Sequence, residues 1–201
     1  MPEDDTERGA INHDAALDDR DASLAQRVKI GDSQAFEELA RRYLRPIHAV
    51  AASYLSEQAD IEDAAQETFL RALDRIHTFD PKRLFAPWLY QIARNVARNR
   101  RKALGTRRTE PWPERDLPSV EQDAAQSLEQ AEIRRLVDRA IERLPEQRRT
   151  AFRLFDVEGY TAQEIARLMG IDAGTVRSHV HHARRALRAE LAPLLGREET
   201  P

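Results

Sequence analysis

Apolar residues recur at intervals of three or four positions through two long parts of the chain, and this spacing predicts amphipathic helices in both. The first part runs from residue 22 to residue 102, and the second from residue 128 to residue 195. No stretch of either part keeps the apolar–polar alternation of a half-buried strand. The clearest stripe lies in the second part and comprises Val176, Val180, Ala183, Leu187 and Leu191. The pattern therefore predicts an all-α protein.

Polar and helix-breaking residues indicate where helices of the first part begin and end. Asp32 is typical of a residue that caps the start of a helix, and Pro46 predicts the first turn of a second helical stretch. The pair Asp80-Pro81 interrupts the pattern before a fourth apolar stripe begins. Residues 21–102 are therefore expected to form one small helical domain.

The segments outside the helical parts differ in composition. Residues 103–127 hold one glycine and three prolines but few large apolar side chains, which predicts a flexible linker. Residues 1–20 carry seven acids against two arginines, which is typical of a disordered acidic tail, and residues 196–201 form a short second tail. Two small helical domains, residues 21–102 and 128–195, are thus expected on either side of a flexible linker.

The segment from Thr161 to Arg188 has the pattern of a helix-turn-helix. Thr161 and Glu164 have the spacing of a capping box at the start of a short helix. Gly170 supplies a turn, and Asp172 can cap the helix that follows. The second helix of such a motif enters the major groove of DNA.

The exposed face predicted for this second helix carries cations and small polar groups, and no acid lies between residues 173 and 189. Such groups bind phosphates and base edges, although a merely solvated charged helix is the alternative. The residues expected to approach bases are Thr175, Ser178, His181, His182 and Arg185, and those expected to contact phosphates are Arg177, Arg184 and Arg188. Of the nearby histidines only His179 and His182 have a chelating spacing, and without further ligands no metal site is predicted.

Residues 82–108 form a second basic block, with nine cations and no acid. Aromatic residues lie within or beside it, namely Phe79, Phe85, Trp88 and Tyr90. A basic helix next to aromatic residues suits contact with melted or single-stranded nucleic acid. The alternative is a solvated face for the cations. Trp88 lies on the apolar stripe and is therefore assigned to the core rather than to base stacking.

A third charged block is acidic and lies on one predicted helix. It comprises Asp60, Glu62, Asp63, Gln66 and Glu67. An acidic helical face can bind a basic partner surface. Acids near the start of a helix also interact favourably with the helix dipole, and taken alone this second explanation is the simpler one.

The overall composition narrows the classes of function. The chain has 201 residues, no cysteine and a net charge of −3, which excludes disulfide scaffolds and cysteine nucleophiles and suits a reducing cytoplasm. No glycine-rich phosphate loop occurs and the acids lack a partnering motif, so neither an enzyme nor a cofactor is predicted. No apolar run approaches the ~18 residues of a membrane helix, and the acidic N-terminus does not resemble a signal peptide, so no membrane insertion is expected.

Three segments together resemble one family, the extracytoplasmic-function (ECF) sigma factors of bacterial RNA polymerase, which belong to the sigma-70 family. They are DIEDAAQETFLRAL (60–73), FAPWLYQIARNVARNRRK (85–102) and LPEQRRTAFRLFDVEGYTAQEIARLMGIDAGTVRSHVHHARRALRAEL (144–191). The resemblance implies that residues 21–102 are region 2 and residues 128–195 are region 4. It also implies a promoter-specificity subunit whose partners are core RNA polymerase, promoter DNA and an anti-sigma factor.

The resemblance further implies a role for each charged block. The residues that would dock on core polymerase are Asp60, Asp63, Gln66 and Glu67. The −10 promoter element would be bound by the loop 77–87 and the helix after it, through Lys82, Arg83, Arg94, Asn95, Arg98, Asn99, Arg101 and Lys102. The helix 173–188 would read the −35 element as duplex. The alternative is a helix-turn-helix regulator that does not replace sigma, which accounts for the last helix but not for the other two blocks.

Overall fold

The structure is a computed structural model that describes residues 18–107 and 136–195. These residues are helical with short connections, and no strand occurs among them. The chain divides into two compact units, with the main boundary between Arg100 and Arg101 and the short stretch Arg167–Gly170 grouped with the first unit. The predicted all-α fold is confirmed.

The first unit is built on four helices. They are α1 (18–29), α2 (Ser33–Ala52), α3 (Gln58–Arg75), which continues into a 3₁₀ turn at Ile76–Thr78, and α4 (Phe85–Arg107). Helix α2 packs along α3. The predicted start of α2 is confirmed, because the Asp32 side chain accepts a hydrogen bond of 3.1 Å from the backbone N–H of Ala35.

The prediction that Pro46 opens a separate helix is wrong. Helix α2 is continuous from Ser33 to Ala52 with Pro46 inside it. An internal proline removes one backbone hydrogen bond and costs about 3 kcal/mol. The apolar face continues on both sides of it, since Tyr43 and Ile47 are both buried, and packing of this unbroken face offsets the cost.

The second unit contains four more helical segments. They are α5 (136–143), α6 (Glu146–Phe152), which continues into a π-helical turn at Arg153–Val157, α7 (Ala162–Met169) and α8 (Ala173–Leu195). Helix α6 packs against α8. Buried Ala140, Leu144, Ala183 and Leu187 form a core on which Ile141, Phe152 and Leu191 also pack.

The helix-turn-helix predicted for this unit is confirmed by its local geometry. The backbone N–H of Thr161 donates to the Glu164 carboxylate at 2.8 Å, and the N–H of Glu164 donates back to the Thr161 hydroxyl at 3.2 Å. Gly170, between α7 and α8, has a φ of +70°, a conformation that L side chains rarely adopt. Asp172 accepts from the N–H of Thr175 at 2.8 Å and so caps α8.

The described residues cover only the edges of the segments predicted to be linker and tails. Helix α4 runs to Arg107, so the first five residues of the predicted linker 103–127 are helical. The rest of that linker lies outside the described residues, as do residues 1–17 of the predicted tail and all of 196–201. Residues 18–20 of that tail belong to α1.

Candidate nucleic-acid interface

Helix α8 carries all eight residues predicted to contact duplex DNA. Six of them are exposed, namely Arg177, Ser178, His181, Arg184, Arg185 and Arg188. Thr175 and His182 are half-buried. The apolar stripe on the other side is buried at Val176 and Val180. The first turns of α8 thus present polar and cationic groups to solvent while the opposite face fixes the helix on its unit.

Arg184 differs from the other predicted phosphate contacts because a carboxylate already holds it. Its Nε donates to Asp156 Oδ2 at 3.0 Å, and a terminal guanidinium nitrogen binds the same carboxylate. The guanidinium also lies 5.5 Å from the ring centre of Phe155. Hydrogen bonding to Asp156 raises the pKa of Arg184. This side chain therefore ties α8 to the π-helical turn.

Two histidines of α8, His179 and His182, favour their neutral form. His181 and His182 meet edge to face, with ring centres 5.7 Å apart. Partial burial lowers the pKa of His179 and His182, and the positive charge of Arg148 lowers both further. A neutral imidazole both donates and accepts hydrogen bonds, so His182 can present either function to a base edge. No group of three or more potential metal-ligating side chains was found in the part of the chain that the structure describes.

Helix α4 presents a second polar face. Asn95, Arg98, Asn99 and Lys102 follow one another at intervals of three or four residues, so they share one side of the helix, and all four are exposed. Arg94 is half-buried at the edge of this face, where it donates to Gln91 at 3.4 Å. Arg101 is exposed.

A short loop of residues 79–84 precedes α4 and carries the other two predicted contacts. The carboxylate of Asp80 accepts a hydrogen bond of 3.0 Å from the N–H of Lys82, and its carbonyl accepts one of 2.9 Å from the N–H of Arg83. These bonds fold the loop into a turn. Lys82, Arg83 and Leu84 are exposed at its tip.

Aromatic residues at the two ends of the 79–84 loop belong to the core. The rings of Phe79 and Phe85 meet edge to face at 5.5 Å, and Trp88 lies 5.3 Å from Phe79. Tyr43 adds a fourth ring, 5.6 Å from Phe85. Phe79 and Phe85 are each only 2% exposed, so they cannot stack on bases. Aromatic pairs of this kind add about 0.5–1.5 kcal/mol each to area burial.

The acidic residues of α3 are divided between two environments. Asp60 and Asp63 both accept from Arg100 of α4, at 2.9 Å and 2.5 Å. Asp60 is 19% exposed and Asp63 is 58% exposed. Glu67 pairs with Arg71 on the same helix at 2.5 Å. Asp60 therefore ties α3 to α4, whereas Asp63 and Glu67 remain on the surface.

Arg100 is a residue whose role the sequence analysis missed. It was counted among the cations of the basic block, yet it holds two carboxylates of α3. The sequence does contain a signal, because Arg100 follows the buried residues Val96 and Ala97 by four and three positions. That spacing turns its side chain toward the protein rather than toward solvent.

An apolar groove of about 650 Å³ runs between α2 and α3 and is a second feature that the sequence analysis missed. Gln66 lines it together with Phe36, Leu44, Phe69 and Leu70. Leu44 is 54% exposed and Leu70 is 61% exposed. The groove thus joins an apolar surface to the edge of the acidic face.

Comparison with known proteins identifies the class to which these two units belong. Residues 39–107 match the family described as Sigma-70 region 2, and residues 134–187 match the family described as Sigma-70, region 4. The chain therefore belongs to the sigma-70 family of transcription initiation factors. The two matched segments contain the α3–α4 surfaces and the helix-turn-helix.

Within that family the chain is an ECF sigma factor, a promoter-specificity factor for bacterial RNA polymerase. It is 33% identical over 190 residues to the ECF RNA polymerase sigma-E factor of Escherichia coli strain K12, which covers 88% of this chain and 97% of that protein. It is 35% identical over 186 residues to the RNA polymerase sigma-H factor of Pseudomonas aeruginosa, covering 88% and 96%. The alternative of a regulator that does not replace sigma accounts for the region 4 match alone.

A solved structure has the same fold. CnrH in complex with the cytosolic domain of CnrY aligns with a TM-score of 0.57 and 25% identity, over 87% of this chain and 98% of that chain. Within residues 18–107 and 136–195, no helix combines the length and the apolar character that crossing a bilayer requires.

Proposed function

We propose that the two units bind one promoter at two places, with α8 on the duplex −35 element and the α4 face with the 79–84 loop on the −10 element. The observation that carries this proposal is the presence, in one sigma-70 chain, of two separate exposed polar and cationic faces on rigid helices. Tethering converts two weak contacts into one specific contact. The protein itself catalyses no reaction and acts in the cytoplasm, where RNA polymerase works.

The contact with the −35 element is argued from α8. Arg177 and Arg188 lie on its exposed side, where cations neutralise phosphates and release counterions, and the exposed Arg185 can reach base edges. Ser178 and His182 are short or planar groups that can reach base edges in a major groove. Arg184 takes a different part from the one predicted for it: it positions α8 through Asp156 and does not primarily bind phosphate.

The contact with the −10 element is argued from α4. The amides of Asn95 and Asn99 can each donate and accept hydrogen bonds, which suits the edges of unpaired bases. Arg98 and Lys102 continue the same face and attract the strand backbone. The rings of Phe79, Phe85 and Tyr90 are buried in the core, so capture of bases depends on polar groups and on the tip of the 79–84 loop.

Docking on core polymerase is argued from α3 and the groove beside it. Asp63 and Glu67 are exposed carboxylates, and Gln66 lies between them and the apolar groove. A helical partner surface with cations along an apolar stripe fits this combination. Asp60 contributes indirectly, because it fixes α3 to α4 through Arg100.

An anti-sigma factor is a further proposed partner. The relative CnrH was solved in complex with the cytosolic domain of CnrY, which shows that a chain of this fold is bound by a second protein. A protein that covered the α2–α3 groove would compete with core polymerase for the same apolar surface. Such competition would control the factor without changing its DNA-binding faces.

The proposed function is tested by transcription with purified components. Core polymerase is combined with this chain as the sole factor on a supercoiled promoter library, and the transcript starts are mapped. We expect starts that share one sequence near −35 and another near −10. Core binding without shared elements would contradict the assignment of the two faces, and the triple variant Asn95→Ala, Arg98→Ala, Asn99→Ala provides the matched control, since it should lose only the −10 preference.

A further inference from the structure

Lys29, the last residue of α1, contacts the beginning of the 79–84 loop. Its Nζ donates a hydrogen bond of 2.5 Å to the carbonyl oxygen of Phe79, 50 residues further along the chain. The same ammonium lies 6.0 Å from the centre of the Phe79 ring. A charged donor makes a stronger hydrogen bond than a neutral one, and an ammonium over a ring adds a second attraction. One side chain from a distant helix therefore holds both the backbone and the ring of Phe79.

The residue that Lys29 holds is the fixed end of the loop. Phe79 is buried and packs edge to face on Phe85, the first residue of α4. The two ends of the loop therefore meet through their rings, and Trp88 covers both of them. Any shift of Phe79 would change the direction in which the five loop residues after it leave the core.

The rest of the loop has few contacts of its own. Two hydrogen bonds accepted by Asp80 fold it, one from the N–H of Lys82 and one from the N–H of Arg83. Arg83 is 82% exposed along its side chain, and Leu84 is 46% exposed. The direction of the tip is consequently determined at its base, where Lys29 and the aromatic cluster act.

We propose that Lys29 is a positioning residue for capture of the unpaired −10 strand. By fixing the carbonyl and ring of Phe79 it holds the 79–84 loop in one conformation, so that Lys82, Arg83 and Leu84 face the strand before it arrives. This inference rests on the proposed contact between the loop and the −10 element. A loop that is already ordered loses little conformational entropy when it binds, so its affinity for the strand is higher.

The test uses the complete chain in complex with core polymerase and the variant Lys29→Met, which keeps the length of the side chain but removes the ammonium. The probe is a forked fragment of the strongest promoter from the start-site mapping, duplex at −35 and single-stranded at −10, with 2-aminopurine in the −10 segment. We expect binding of the fork to weaken about tenfold, which corresponds to about 1.4 kcal/mol. Binding of the fully duplex −35 fragment should change by less than about twofold.

Two further variants separate positioning from general stability. Arg27→Met removes an ion pair to Asp32 at the same end of α1, where the two side chains are 2.7 Å apart, without touching the loop. It should leave both the fork affinity and the 2-aminopurine signal at saturation unchanged. Lys29→Arg keeps a charged donor and should restore most of the fork affinity.

Three results would overturn the proposal. They are an unchanged fork affinity in Lys29→Met, an equal loss in Arg27→Met, and a parallel loss of duplex and fork binding. Failure of the proposed function looks different: the wild-type complex would then show no preference for the fork, and Lys82→Ala with Arg83→Ala would leave its affinity unchanged.

Discussion

Replacing Arg100 by methionine should destabilise the first unit without removing a DNA contact. The guanidinium bridges Asp60 and Asp63, and it thereby links the second half of α4 to α3. Methionine preserves much of the apolar stem of the side chain. The variant therefore removes the charge and its hydrogen bonds while losing little packing.

The expected loss of stability follows from the burial of the Arg100–Asp60 ion pair. The side chains of Arg100 and Asp60 are 28% and 19% exposed, and Nε lies 2.9 Å from Oδ1. Exposed ion pairs contribute about 0–1 kcal/mol, whereas breaking a fully buried pair costs about 3–5 kcal/mol. A mostly buried pair lies between these limits, so Arg100→Met should lower the free energy of unfolding by about 2 kcal/mol. For a unit of this size the corresponding drop in Tm is about 10 °C.

The assay is urea unfolding of the complete chain followed by tryptophan fluorescence. Substituting Trp112 by phenylalanine leaves Trp88 as the remaining one of the two tryptophans, and Trp88 reports on the first unit. The matched control is Arg98→Met, because Arg98 is an exposed cation two positions away on the same helix. The control should change the unfolding free energy by less than about 0.5 kcal/mol, yet it should weaken −10 binding.

A double-mutant cycle measures the interaction between Asp60 and Arg100 directly. Asp60→Asn, Arg100→Met and the double variant should give a coupling energy of about 1–2 kcal/mol. A coupling below about 0.5 kcal/mol, or an equal cost for Arg98→Met and Arg100→Met, would show that the pair does not tie the helices together. Loss of fork binding by fully folded Arg100→Met would instead return this residue to the DNA-binding face.

Three other predictions concern the partner surfaces. Asp63→Arg with Glu67→Arg should weaken core binding in a pull-down while −35 duplex binding by the same chain is retained, and loss of both would indicate misfolding. Arg185→Ala should change the base preference selected from a randomised −35 library, whereas Arg177→Ala should weaken all sequences alike and reduce the salt slope by about 1. The pKa of His182 is lowered from 6.5 by partial burial and by Arg148. The affinity for duplex DNA should therefore be constant above pH 6.5 and should rise at lower pH, where the ring gains a positive charge. His182→Gln should reduce this rise, and an identical pH profile would exclude the residue from the interface.

The sequence predicts those parts of the fold that depend on neighbouring residues. Asp32, Thr161 and Asp172 cap helices as expected, because a capping side chain needs only the backbone two or three positions ahead. The apolar stripe of α8 is buried as predicted for the same reason, since helical periodicity alone places it. The division of α2 at Pro46 failed because a tertiary gain outweighed a local rule.

The candidate site is less predictable because it depends on which helices meet. The predicted residues of α4 and α8 lie on their expected helices, but pairing across helices determines how many cations are available. The groove between α2 and α3 was not foreseen, since no motif in the sequence marks Leu44 or Leu70. Their exposure becomes evident only when both helices are packed.

Arg100 and Arg184 show that the number of cations in a basic block can exceed the number that can bind DNA. Arg100 follows the buried residues Val96 and Ala97 by four and three positions, and Arg184 follows the buried Val180 by four. Each is then held by a carboxylate, Asp60 or Asp156. An arginine that is already neutralised releases no counterion unless its pair breaks. The predicted phosphate contacts of α8 should therefore contribute to the salt dependence of −35 binding through Arg177 and Arg188 but not through Arg184, a slope of about −1.8 instead of about −2.7.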